Sequence, residues 1–217
     1  MNMLSKNINC KKNFEIAFSN RYTWPSYFFG YKGNCLFIRN KETFESRFNV
    51  DKNFKVSVSN VDNEEIKKII ASQLFEVTIH RVKRDFQKVH SKNDFQLIKE
   101  SDLGMEIIVT GKNAGDKYRI KDKRINMVYR KIHGLIVQIF VEEFIDTGLG
   151  FLSKKYTSQQ LDINTLNAIS PIYSFTDEFI NLNKNLWVLK TRSVSYLNSK
   201  NETQKENFSF SKLILND

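Results

Sequence analysis

The sequence predicts a mainly β protein of the α+β type. The expected form is a strongly curved antiparallel sheet or an open or closed β-barrel, with an N-terminal helix and one internal helix at about 63–79. Three observations carry this expectation. First, GLIVQIFVEEFI at 134–145 alternates with period two, placing Leu135, Val137, Ile139, Val141 and Ile145 on one face, interrupted only by Glu143, and Ile136, Gln138, Phe140, Glu142 and Phe144 on the other. Second, apolar-polar runs recur along the chain with Gly or Asn turns between them, the rhythm of sandwiches and barrels. Third, the crossover helices that parallel strands need are missing, which excludes a parallel α/β sheet.

Residues 4–20 read as the N-terminal helix, with Leu4, Ile8, Phe14 and Phe18 on one side. Pro25 ends any helix by Trp24, because the residue before a proline is pushed out of the α region. The aromatic stretch Tyr22, Trp24, Tyr27, Phe28, Phe29 follows and runs into Gly30. It reads either as a ligand or partner patch or as a plug packing the helix onto the sheet. Strands are then expected at 35–39, 43–50 and 54–59. At 61–80 the period changes: Ile66, Ile69, Ile70, Leu74 and Val77 recur at helical spacing after a capping-box-like Asp62 and Glu65. The next segment, HRVKRDFQKVH, closes this helix or opens a strand and concentrates His80, Arg81, Arg84 and His90. Those cations either complement the helix dipole or form an anion site. Further strands are expected at 95–99, 105–110, 117–121, 125–132, 134–145, 151–157, 170–180, 186–196 and 207–215. No repeat or low-complexity linker divides the chain, so residues 1–217 are expected to form a single domain, with 1–30 as helix and aromatic segment and 31–217 as sheet.

Composition bounds function only loosely. A formal charge of +10 suggests a polyanion partner, but Lys, Asn, Ile and Phe enrichment is also what an AT-rich genome imposes, and the basic residues are spread along the chain. The apolar run of a secretory signal and an 18-residue membrane span are both lacking, so a cytoplasmic protein is expected. Cys10 and Cys35 are expected as free thiols, and no metal set or cofactor is implied.

Asp146-Thr147-Gly148 matches the aspartic-protease signature only locally. Leu149 stands where a small residue belongs, no second copy exists, and a hairpin turn accounts for each residue. Gly111–Gly115 lacks the Lys-Ser/Thr of a phosphate loop and precedes a strand. Glu142 and Glu143 point to opposite faces and form no acid-base pair, and Arg124, Arg130 or Arg192 are candidate partners for Glu142. No catalytic residue is assigned.

RYTW at 21–24, Phe29-Gly30, His80-Arg81, Phe86 with His90, Tyr118, Arg124, Arg130, the run Glu142-x-x-x-Asp146-Thr147-Gly148-x-Gly150-Phe151-Leu152 and Tyr156 form an ordered series. It resembles an uncharacterised family of cyanobacteria and chloroplasts, a domain of unknown function. The resemblance implies a photosynthetic organism and a location in the cyanobacterial cytosol or plastid stroma, soluble or peripheral to the thylakoid. It supplies no catalytic residues.

The leading reading is a non-enzymatic carrier holding an apolar molecule such as a lipid, quinone or pigment. Tyr22, Trp24, Ile136, Gln138, Phe140, Glu142 and Phe144 are its candidate ligand contacts. The alternative is an assembly factor for a photosynthetic complex, with His80, Arg81, Arg84, His90 and Arg124 contacting an anion or partner. A basic nucleic-acid-binding protein and a hydrolase rank below these.

Overall fold

In the computed structural model, which describes residues 3–183 and 185–217 with side chains from Cys10 onward, three helices and twelve strands follow one another along the chain. They are α1 (Met3–Ser19), β1 (Tyr31–Arg39), β2 (Glu42–Val50), β3 (Val56–Ser59), α2 (Glu64–Ile79), α3 (Phe86–His90), β4 (Asn93–Ser101), β5 (Gly104–Gly111), β6 (Lys117–Lys121), β7 (Arg124–Ile132), β8 (Leu135–Asp146), β9 (Phe151–Asp162), β10 (Tyr173–Asn181), β11 (Trp187–Leu197) and β12 (Thr203–Leu215). The class is the one expected: mainly β and antiparallel, with the strands not closed into a barrel. Two-residue turns link several hairpins. Asn40-Lys41, Asp122-Lys123 and His133-Gly134 all have positive φ at both positions, the geometry whose twist matches the flanking strands.

The chain divides into two compact units, each discontinuous in sequence. The first contains the segment up to Tyr22 and Arg84–Ser174, with strand order β9-β8-β7-β6-β5-β4. α1 lies across β4, β6 and β7. Its Cys10, Phe14, Ala17 and Phe18 pack on Phe95, Ile107, Val109, Tyr118 and Ile120 of the sheet and on Phe86 of α3. The side chains of Leu4 and Ile8 lie outside the described residues. The short α3 was not expected from the sequence. Asp85 caps it by accepting from the Lys88 amide at 2.9 Å, and burial of Phe86 and His90 holds it down.

The second unit contains Thr23–Lys83 and Phe175–Asp217, with strand order β3-β2-β1-β12-β11-β10. α2 lies against β3 and buries Ile66, Ile70, Leu74, Val77 and Thr78, a spacing that repeats each helical turn. Its cap is Asn63, whose side chain accepts from Glu65 N and Ile66 N, one residue beyond the Asp62 that the sequence suggested. Trp24 stacks on Phe28 at 4.2 Å and donates its indole N–H to Trp187 O at 2.9 Å. Trp24, Phe28 and Tyr31 are buried, whereas Tyr27 and Phe29 are exposed.

Candidate functional site

In the first unit the two halves of the sequence pattern meet on the backbone. Tyr22 N donates to Phe151 O at 3.0 Å and Phe151 N donates to Asn20 O at 2.7 Å, so residues 20–22 lie against the start of β9. The Asp-Thr-Gly-Leu-Gly turn makes this possible. The Asp146 carboxylate accepts from Gly148 N at 2.9 Å, and Thr147 Oγ1 donates to Gly150 O at 2.7 Å. Gly150 has φ +139, and a Cβ there would stand 2.7 Å from Tyr22 N and 2.8 Å from Asn20 O. The motif is therefore a turn plus a slot one glycine wide, consistent with the turn reading of Asp146–Gly150.

That docking places Arg21. Its guanidinium stacks on the Phe18 ring at 3.9 Å from the centroid, and its Nε donates to Phe18 O at 2.9 Å. Among the described residues neither Nη of Arg21 has an acceptor. Burial lowers its pKa to about 10, with repulsion from Arg84 and Arg130 acting in the same direction. The Tyr118 ring is buried, and its hydroxyl is not sealed from solvent. Burial raises its pKa to about 12, so at neutral pH it is a donor. Arg130 donates through Nε to Asp116 Oδ2 at 3.2 Å, and Asp116 Oδ1 accepts from Lys131 N. Arg21, Arg84, Arg130 and Tyr118 thus form a donor-rich cluster in which Asp116 is the neutralising acid.

The cluster borders an apolar ledge. Residues paired across strands share a face, so Tyr118, Val128 and Ile139 line up, as do Arg130 and Val137. This is the face that carries α1. Under α1 it is dry: Ile107 and Val109 are 0% and 1% exposed. Further along, on β8, Leu135, Val137, Ile139 and Val141 all remain half-buried, with Tyr156 opposite Val141, and Ile145 follows beyond Glu143, which is exposed and paired with Lys154. Apolar residues left partly wet in a row need an explanation beyond the core.

The opposite face of β8 carries the candidates read from sequence. Ile136 is fully buried, Gln138 and Phe144 are half-buried, Phe140 is 37% exposed and Glu142 is exposed. Polar and charged groups here already have partners. Glu142 pairs with Lys155 at 2.8 Å rather than with an arginine, and Arg119 sits over Phe140 at 5.7 Å. Arg124 sits 5.1 Å from the Phe144 and Phe151 centroids and pairs with Asp122. Tyr22 and Trp24 are both buried, the first in the first unit and the second in the second.

The cationic candidates divide between the units. In the second, His80 is the exposed C-cap residue of α2, and Arg81 is buried over the Phe179 ring at 5.5 Å. In the first, Arg84 is exposed and His90 is buried among Phe14, Phe18 and Phe86. The His90 Nδ1 accepts from Asn93 at 2.9 Å, and burial with nearby Arg130 and Arg21 lowers its pKa to about 4. It is neutral at physiological pH. Cys10 and Cys35 are buried, and burial raises the Cys35 thiol to about 12. Among the described residues no group of three or more His, Cys, Asp or Glu could hold a metal, and no helix is long and apolar enough to cross a membrane.

The second unit has its own buried charge. Arg192 is 1% exposed, with Nε and Nη2 on the Asp177 carboxylate at 2.8 and 2.7 Å and Nη1 on Gln73 Oε1 and Glu76 Oε2 at 2.9 and 3.1 Å. Every arm of the guanidinium has an acceptor, and this network ties β10 and β11 to α2.

Both parities of β8 carry enough apolar residues to be buried, and it is the position of α1 that makes the two faces different. Arg21, Tyr118 and Arg130 were visible as members of the spaced pattern, but nothing in the sequence gathers them at one spot.

Among solved structures, a LolA-superfamily protein from Nitrosomonas europaea aligns with a TM-score of 0.38 at 10% identity, covering 96% of this chain and 94% of that one. A DUF1329-family protein from Desulfovibrio piger aligns with a TM-score of 0.25 at 6% identity, covering 99% of this chain and 93% of that one. At TM-scores this low, neither likeness says anything about ligand or activity. No curated protein matches. The family model described as "Protein of unknown function (DUF3386)" matches residues 5–215, and the chain therefore belongs to the DUF3386 family.

Proposed function

We propose that the protein is a non-enzymatic carrier that seats an apolar molecule on the α1-bearing face of the first unit, along β7–β9. The observation that carries this reading is the ledge of Leu135, Val137, Ile139 and Val141, which stays half-buried while the same face under α1 is dry. Covering such a row with an apolar chain gains roughly 25 cal/mol per Å² removed from water, and a row several residues long offers enough area for useful affinity. The opposite face offers less, since its aromatic rings are already capped by Lys117, Arg119 and Arg124. We place the carrier in a photosynthetic cell, in the cytosol or stroma, on the strength of the sequence pattern set out above.

The exposed Tyr27 and Phe29 support a second reading, an assembly factor that presents this aromatic pair to a complex subunit.

Native mass spectrometry of protein purified from its own host tests the first reading. An added mass that organic extraction removes is expected, and it should be missing from an Ile139→Glu variant. A clean apo mass from freshly isolated protein would sink the carrier reading. Co-purification of photosynthetic subunits with the wild type, lost in a Tyr27→Ser/Phe29→Ser double variant, would support the second.

A further inference from the structure

We infer that the ligand is an amphiphile with an oxyanion head group, held by Arg21 and Tyr118 with Arg84 and Arg130 adding positive charge. This rests on the carrier reading and specifies the chemistry of the same site.

The argument is one of unmet donors. A half-buried guanidinium has lost part of its hydration, and the N–H groups it keeps at the solvent edge are open to an anion. Arg21 has a backbone carbonyl on Nε and an aromatic ring beneath it, but no acceptor for either Nη among the described residues. Tyr118 presents a second donor without an acceptor. Two more guanidiniums stand close enough to repel the first, and Asp116 is already engaged by Arg130 and by Lys131 N. Donors converging with net positive charge fit a carboxylate or phosphate, whose oxygens accept a forked pair of N–H groups and a hydroxyl proton together.

Position adds the apolar half. Tyr118 pairs with Val128, Val128 with Ile139, and Arg130 with Val137, so the donors stand where the ledge begins. A head group on Arg21 leaves its chain free to run along Val137, Ile139 and Val141. A free small anion would satisfy the donors and leave the ledge wet. A neutral apolar molecule would cover the ledge and leave the donors unmet. An anionic amphiphile does both.

Titration calorimetry with oleate, oleyl alcohol and inorganic phosphate, on wild type, Arg21→Gln and Tyr118→Phe, separates these cases. Oleate is expected to bind wild type about tenfold or more tightly than oleyl alcohol, the range of a charge-assisted hydrogen bond. Arg21→Gln should erase that difference without weakening the alcohol. Tyr118→Phe, nearly isosteric, should reduce it several-fold while leaving the circular dichroism unchanged. Equal binding of oleate and oleyl alcohol to wild type, unaltered by Arg21→Gln, overturns the head-group inference and leaves the carrier reading standing. Phosphate binding as tightly as oleate overturns the link to the ledge. If neither oleate nor the alcohol binds, both the inference and the carrier reading fall.

Discussion

Arg192 lies above Phe175 at 5.3 Å in the second unit and Arg21 above Phe18 at 3.9 Å in the first, and the two are satisfied differently. Arg192 is surrounded by acceptors: a bidentate carboxylate, a second carboxylate and an amide oxygen. Arg21 has one carbonyl and two cationic neighbours. The same side chain on the same kind of ring is in one case a brace between a helix and two strands, and in the other a group still short of a partner. Burial alone does not separate structural from functional charge; the inventory of acceptors does.

The largest expected effect comes from unbalancing the brace. Asp177→Ala leaves Arg192 charged and enclosed without its bidentate partner, and removing one member of a buried pair costs about 3–5 kcal/mol. Urea unfolding should show that loss, and a change under about 1 kcal/mol would mean Glu76 and Gln73 suffice. Next is Gly150→Ala, which forces a side chain into φ +139 and against the Tyr22 and Asn20 backbone. A loss of about 2–3 kcal/mol is expected. Because residues 20–22 are displaced with it, oleate binding should fall too, which Asp177→Ala should not cause.

His90 gives a pH-dependent effect. Its pKa is about 4 in the fold against 6.5 unperturbed, so the unfolded chain takes up the proton first as pH falls. Its contribution is present above pH 6.5 and is lost as pH falls through 4, on the order of 3 kcal/mol. Thermal melts of wild type and His90→Asn across that window check this, since the variant should have a flatter profile. The smallest effect on stability sharpens the contrast most. Arg21→Gln removes a partly desolvated cation with no acid partner, so unfolding free energy should move by no more than about 0.5 kcal/mol while oleate selectivity disappears. A loss comparable to Asp177→Ala would show that Arg21 is a brace after all.

Much of the fold was legible because local chemistry and topology agree. Period-two alternation marks β8, and helical spacing after Asn63 marks α2. Boundaries shifted where the pattern weakens. β1 begins at Tyr31 and not Cys35 because a bulge between Lys32 and Asn34 interrupts the alternation. β9 runs to Asp162, past Thr157, because Ser158, Gln159 and Gln160 look like loop residues yet pair with Ile139, Gln138 and Val137. α3 is too short for periodicity to reveal, and only Asp85 ahead of Phe86 hinted at it. The donor cluster draws on four separate stretches of chain, and no spacing rule gathers those.

The slot at Gly150 also bears on the order in which the protein can fold. α1 is made before the strands it packs on, yet its end is tied to Lys123 O through Asn20, 103 positions away, and to β9 beyond that. Until β4–β7 have left the ribosome, Phe14 and Phe18 have no sheet to cover them. β1 likewise waits for β12, far along the chain. Both units close late and through distant pairings, the topology that slows folding and prolongs exposure of apolar surface. The nascent chain should therefore depend on chaperones more than its size suggests, and a truncation before residue 203 should leave β1 with one edge unpaired.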